Sequence, residues 1–243
     1  AGARPVAGGA LHVTAPANVG RRGHVEGREI ETALVLVNAY PQVDNLIVMS
    51  TGYTGKAAQI LDAAENRIRA GGFNAFSFRD VAADVGIKSA SVHYHFPQKA
   101  DLGKAVVERY TAAFLASLGA PDDPAHTPAR RIAHLATAYR ISTIDRGAIC
   151  LCCVLGSEAA DLPADVADAL RRFFRQLLTW TQTALKTPGG QAAPGLSEDA
   201  ARLGANQAVS MLQGAMFLSI LLKEPAHFED AATRLLALDF VKG

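Results

Sequence analysis

Cysteine is nearly absent from this 243-residue chain: its three, Cys150, Cys152 and Cys153, share one short segment. An odd, clustered set builds no disulfide framework, so the expected setting is the reducing cytoplasm. Charge of one sign is missing too. Lys and Arg number 24 against 23 Asp and Glu, a formal +1, which excludes a chain that binds nucleic acid through overall charge and leaves room for a local basic patch. The longest uncharged apolar runs, 33–40 and 214–222, are far below the ~18–20 residues of a bilayer span. No basic stretch followed by an apolar one opens the sequence, and no membrane partner is expected. Also missing are Gly-x-Ser-x-Gly, His-Glu-x-x-His, a phosphate-binding glycine loop and a dinucleotide fingerprint. The expectation is a protein that is not an enzyme and has no cofactor and no metal.

What is present is ordinary globular material, 49% hydrophobic and 19% charged, enough for one large domain or two small ones. Residues 1–53 stand apart as an atypical extension, flexible or non-native. They are rich in Gly, Ala and Val, with the short basic run Arg21-Arg22-Gly23-His24 and two Val/Ile-rich stretches, 31–40 and 43–49, that suit short strands. Met49 precedes the first well-patterned helix, so 1–48 are expected to be dispensable.

From Gly55 onward the pattern is helical. Ala57, Ile60, Leu61, Ala64 and Ile68 follow i, i+3, i+4 spacing up to Gly71-Gly72. Ser77-Phe78-Arg79-Asp80 forms a capping-box signature for a second helix, which Gly86 ends. A third helix is expected over 88–95 and a fourth from Pro97 to about Leu118. After a linker at 119–124, helices are expected over 128–145, 148–160, 163–186, 197–223 and 226–241, with a flexible loop at 187–195.

The informative stretch runs from Phe76 to Leu102, FSFRDVAADVGIKSASVHYHFPQKADL. It reads as helix, tight glycine turn, short helix, a geometry that offers the second helix to a DNA major groove while the first braces it. The short helix is polar outward: Lys88, Ser89, Ser91, His93, Tyr94 and His95 offer donors and acceptors, and Ala90 permits close approach. Val81, Val85, Ile87, Val92, Phe96 and Leu102 read as core.

Over residues 55–118 the chain resembles the DNA-binding domain of the tetracycline-repressor (TetR) family of bacterial transcription regulators. The resemblance is carried by Phe73, by Phe76-Ser77-Phe78-Arg79-Asp80-Val81-Ala82, by Gly86-Ile87 and by Ser89 through Leu102. Many members have Tyr where His93 stands. The resemblance implies an all-α fold: a three-helix DNA-binding domain with helix–turn–helix at 54–102, then a helical effector-binding and dimerisation domain at 103–243. It implies that Ser89, Ala90 and Ser91 face bases, that His93, Tyr94 and Lys99 hold phosphates, and that Ser77 and Arg79 add backbone contacts, with Lys88 also among the DNA-binding residues. The implied partners are a second copy of the chain, a near-palindromic DNA operator and a small-molecule effector of unidentified structure, whose arrival releases DNA.

One short helix makes few phosphate contacts, so a dimer is expected on physical grounds as well. Val209, Leu212, Met216 and Leu222, with Leu235, Leu236, Leu238 and Phe240, form the expected dimer face or else an intramolecular core. Tyr139, Arg140, Thr143, Cys150, Cys153, Phe173, Phe174, Trp180, Gln213 and Phe217 supply an apolar set with a few polar groups, suited to an effector pocket. On a helix, Cys150 and Cys153 share a face. They are buried small hydrophobes or sensor thiols. The alternatives to an effector-released repressor are therefore a thiol-based regulator sensing electrophiles or oxidants, or a helical thiol enzyme with a distant base such as His134.

Overall fold

The structure is a computed structural model that describes residues 52–186 and 196–242. The expected extension at 1–48, its basic run and two strands, and the loop at 187–195 lie outside the described residues. The described part is helical throughout. The N-terminal helices are α1 (Gly55–Gly71), α2 (Phe78–Val85), α3 (Ser89–His95) and α4 (Lys99–Leu118). Then come α5 (Pro128–Tyr139), a π-helical turn (Arg140–Ile144), α6 (Leu151–Ser157), α7 (Ala164–Ala184), α8 (Glu198–Leu222), α9 (Ala226–Leu236) and the short α10 (Asp239–Lys242).

The starts of these helices are written locally. Ser77 Oγ accepts from the Asp80 N–H at 3.3 Å while Asp80 Oδ2 accepts from the Ser77 N–H at 2.8 Å, so both arms of the capping box at α2 are made. Asp101 Oδ2 accepts from the Gln98 N–H at 2.9 Å at the head of α4. Thr127 caps α5 with Pro128 in its first turn, and Ser197 caps α8. Gly86 ends α2 at φ 69°, in the left-handed region where a side chain is costly, and so sets the steep turn into α3.

Two expected helices are shorter than their composition suggests. The helix expected over 128–145 keeps α geometry only to Tyr139, then widens. Thr143 Oγ1 and Ser142 Oγ both donate to the Tyr139 carbonyl, competing with the backbone ladder at that point. The helix expected over 148–160 begins only at Leu151, because Gly147 adopts φ 62° and Cys150 is extended. The last helix breaks at Ala237 before α10.

One continuous core joins both parts. Ile60, Leu61, Ile68, Phe73, Phe76, Val81, Val92, Phe96 and Leu102 close the N-terminal bundle, with Val85 and Ile87 half-buried at its edge. Val106, Tyr110, Phe114, Leu135, Tyr139, Phe173, Leu177, Leu212 and Met216 fill the body. Helix α4 belongs to both: it packs on α1 and on α7, and it runs unbroken across the position expected to divide two domains, 102/103. By length and composition α8 is apolar enough to cross a bilayer, although polar Asn206, Gln207, Ser210 and Gln213 interrupt it. Its buried side packs on α7 and α9.

Candidate nucleic-acid interface and effector body

Helix α3 has seven residues, and Val92 alone is buried. Val92 pins the helix to the core, and the rest of the surface faces outward. Ala90, Ser91, Tyr94 and His95 are exposed, Tyr94 to 84%. Ser89 is half-buried at the first turn, and Lys88 is exposed at the N-cap. An aromatic side chain so exposed has no packing role in the monomer.

The remaining expected contacts are placed less simply. His93 is exposed, but its ring meets Phe78 edge-on at 4.6 Å and its Nδ1 lies 3.4 Å from the Pro97 carbonyl oxygen. His95 stacks its edge on Tyr94, ring centres 5.2 Å apart. The Ser77 hydroxyl is taken up by Asp80, donating to Oδ2 at 2.7 Å. Arg79 is exposed. The Lys99 ammonium lies over the Phe73 and Phe76 rings, 4.8 and 4.6 Å from their centres. Burial pulls its pKa below the usual lysine value, against the pull of Glu158 and Asp80. Among the described residues no group of His, Cys, Asp and Glu could hold a metal ion.

In the body, the residues expected to line an effector pocket are spread over several places among the described residues. Tyr139, Thr143 and Cys150 are fully buried. The Tyr139 hydroxyl accepts from Gln213 Nε2 at 3.0 Å, and its ring packs edge-on against Phe114 at 5.3 Å. Phe173, which touches Tyr110, Phe114 and Phe174, completes a filled aromatic cluster. Trp180 is buried at the far end of α4, donating from Nε1 to the Gly119 carbonyl at 2.8 Å. Cys153 and Phe174 are half-buried, and Phe217 is 48% exposed on the outside of α8. A shallow cavity of about 20 Å³ lies between α5, the π turn and α9, lined by Ala133, Thr137, Arg140, Phe228 and Ala232 among others. It holds about one water, and of the expected set only Arg140 borders it.

The expected dimer face also divides. Val209, Leu212, Met216, Leu235 and Leu236 are intramolecular core, and α8 packs on both α9 and α7. Leu238 is half-buried against that core, and of the set on α8 Leu222 alone is exposed. The side chain of Phe240 lies outside the described residues. The uncovered stripe of α8 is a different one: Leu203, Gln207, Ser210, Gly214, Phe217 and Leu221 follow each other at three- and four-residue steps, with Leu218 beside them.

Sequence reasoning missed a charged knot where α1 meets the body. Arg109 of α4 is buried and donates to Asp62 Oδ1 at 2.6 Å and Glu65 Oε2 at 3.2 Å, both on α1. Arg69 bonds Glu65 at 3.0 Å, donates to the Ile149 carbonyl at 2.8 Å and lies over the Tyr110 ring at 5.3 Å. Arg146 reaches Glu65 at 3.5 Å. The only legible signal was the i, i+4 pair Glu65 and Arg69; the other partners lie 44 or more positions away.

A braced, outward-facing short helix on a small bundle, joined by a shared helix to a larger helical body, defines a DNA-binding transcription regulator. The comparisons agree. Residues 60–106 match the model of the bacterial regulatory proteins of the tetR family. A TetR transcriptional regulator from Legionella pneumophila is 27% identical with a TM-score of 0.68, over 76% of this chain and 97% of that one. A TetR-family regulator from Agrobacterium tumefaciens is 28% identical with a TM-score of 0.65, over 75% and 96%. The fold is shared at 17% identity by FadR from Bacillus subtilis, solved with stearoyl-CoA, at a TM-score of 0.60 over 76% and 98%. No curated protein sequence matches. Residues 60–106 thus carry the tetR-family DNA-binding region, and over about three quarters of its length the chain is similar to TetR-family transcriptional regulators.

Proposed function

We propose that the chain is a homodimeric repressor that binds a near-palindromic operator and is released by a small molecule. The observation that carries the DNA half is α3 itself, a seven-residue helix with one buried anchor and an exposed polar face crowned by Tyr94. In this reading Ser89, Ala90 and Ser91 meet base edges. Lys88, His93, Tyr94 and Lys99 meet phosphates, and Ser77 and Arg79 flank them from the head of α2. Asp80 holds both the hydroxyl and the N–H of Ser77, so the Ser77 contact requires its hydroxyl to turn from Asp80 to the phosphate.

Dimerisation is supported by the uncovered stripe of α8. Two copies pairing along Leu203, Phe217 and Leu221 bury apolar surface that the monomer leaves in water, and Gly214 and Ser210 let the two backbones approach. The pairing sets the two α3 helices at the 34–36 Å repeat of successive major grooves. Release follows if a ligand binds an opened body better than the closed one. The regions around Tyr139 and Gln213 supply a hydroxyl and an amide for such a ligand, in a cluster otherwise apolar.

The test is selection of duplexes from a randomised pool by the purified chain, followed by salt titration. Specific binding with a steep salt slope supports the proposal. Tyr94→Ala weakens all duplexes alike, whereas Ser91→Ala changes which sequences win. Equal affinity for every duplex sinks it.

A further inference from the structure

The three thiols are not scattered packing residues. Cys150 sits at the N-cap of α6, fully buried, with Cys152 two residues on and Cys153 one turn on. The Tyr110 hydroxyl lies 3.3 Å from Cys150 Sγ, and the Cys150 N–H points at Met216 Sδ at 3.3 Å. The Cys153 N–H donates to the Cys150 carbonyl at 2.9 Å. A turn so closed brings the two Cα atoms within about 7 Å, the reach of a disulfide. Cys153 is the member with partial exposure.

We propose that Cys150 and Cys153 close a reversible disulfide within one chain when it meets a hydroperoxide, and that closure loosens the body's hold on α1. Its effect on operator affinity rests on the DNA-binding function proposed above; the disulfide and the loosening do not. Cys153, the partly exposed thiol, attacks the peroxide, breaking its O–O bond and forming a sulfenic acid, while its own proton goes to the other oxygen, which leaves as water. The Cys150 sulfur then attacks the Cys153 sulfur, and the displaced hydroxide takes up the proton that the Cys150 thiol gave up and leaves as a second water. Two thiols are oxidised and one hydrogen peroxide is reduced to two waters. Negative charge is favoured on Cys150, because the Cys152 and Cys153 thiols and the Tyr110 hydroxyl lower its pKa. The Cys153 thiol is pushed up by its neighbour Cys150 and by burial, and so holds the proton that the first step passes to the leaving oxygen.

The coupling is spatial. Turning its sulfur toward Cys153 takes Cys150 off the Tyr110 hydroxyl. Tyr110 carries Arg69 on its ring, and Ile149, directly before Cys150, holds the Arg69 guanidinium through its carbonyl. Both supports of Arg69, the body's grip on α1, flank the moving sulfur.

The reduced full-length chain is treated with hydrogen peroxide, denatured, alkylated and digested with trypsin, which leaves all three cysteines on the peptide 147–171. The expected result is one alkylated cysteine in place of three, a peptide lighter by two hydrogens at the other two, and reversal by dithiothreitol. Amide exchange in α1 rises on oxidation, and affinity for a duplex selected by the reduced chain falls about 5–150-fold. Cys152→Ser retains the disulfide and the response; Cys150→Ser and Cys153→Ser lose both. Three alkylatable thiols after peroxide, a disulfide linking two chains on a non-reducing gel, or a closed disulfide with unchanged α1 exchange each overturns the proposal. A reduced chain that selects no duplex removes the DNA-binding function alone, since the thiol count and the exchange still decide this one.

Discussion

Replacing Arg109 with methionine keeps the length of the side chain and removes its charge. The side chain is 7% exposed and meets Glu65, 14% exposed, and Asp62, 65% exposed. Removing one partner of a buried ion pair costs about 3–5 kcal/mol when the other charge is stranded. Here the strand is partial. Glu65 keeps Arg69 at 3.0 Å and Arg146 at 3.5 Å, and Asp62 returns to water at little cost. The loss therefore falls toward about 2 kcal/mol, below the range for a fully isolated charge. For a protein of this size each kcal/mol moves the melting point by about 2–4 °C. The measurement is urea unfolding of the wild type and Arg109→Met at one fixed protein concentration, because the proposed dimer would make apparent stability concentration-dependent. Glu65→Gln/Arg109→Met closes a double-mutant cycle and gives the pair's own coupling. A change below about 0.5 kcal/mol, the scale of an ordinary surface substitution, would refute the claim that the knot fastens α1 to the body.

The remaining predictions concern the head and the dimer. Asp80 is held below the usual carboxylate pKa by hydrogen bonds from the Ser77 hydroxyl and N–H. A lowered folded pKa means that this stabilisation is complete above the ordinary aspartate value and is lost as pH falls through the lowered one. Asp80→Asn should therefore flatten part of the acid limb of a stability–pH curve, and an unchanged limb would contradict the capping box. Leu221, 63% exposed on α8, should convert the dimer to monomer when changed to Arg, seen as a halved mass by analytical ultracentrifugation with unchanged helicity. Val209→Ala, at a buried position, should instead lower stability by about 1–3 kcal/mol and leave the mass alone; the opposite pattern would return the interface to the covered face.

How far the sequence could be read tracks the range of the interactions. The helix–turn–helix was legible because its determinants are local. Ser77 and Asp80 are three positions apart, Gly86 is one residue with one backbone requirement, and Val81, Val92 and Phe96 obey the helical period. Helix α8 was legible as a helix and misread as to its faces. Val209, Leu212 and Met216 mark one apolar side, Leu203, Phe217 and Leu221 another, and periodicity does not say which one the neighbouring helices will cover. The expected pocket set is dispersed for a related reason. Tyr139, Trp180 and Phe217 have the right chemistry, but one is at the centre of the body, one under Gly119 and one in solvent. Arg109 looked like any charge on a long helix, since Asp62 and Glu65 reach it only after the chain has folded back. The π turn after Tyr139 was hidden for a local reason, the hydroxyls of Ser142 and Thr143, which helix propensity alone does not weigh.

The filled centre of the body has a kinetic consequence. Tyr139, Phe173, Thr143 and Cys150 are sealed from solvent, and the Tyr139–Gln213 bond spans the gap between α5 and α8. A ligand entering there waits for that bond to part and for the helices to separate. Its apparent affinity is lowered by the fraction of time the body spends open. Its association rate climbs with concentration only until opening becomes the slow step, then levels off at the opening rate, which local rearrangements of this kind place between microseconds and seconds. Gln213→Ala, by removing the latch, raises that plateau.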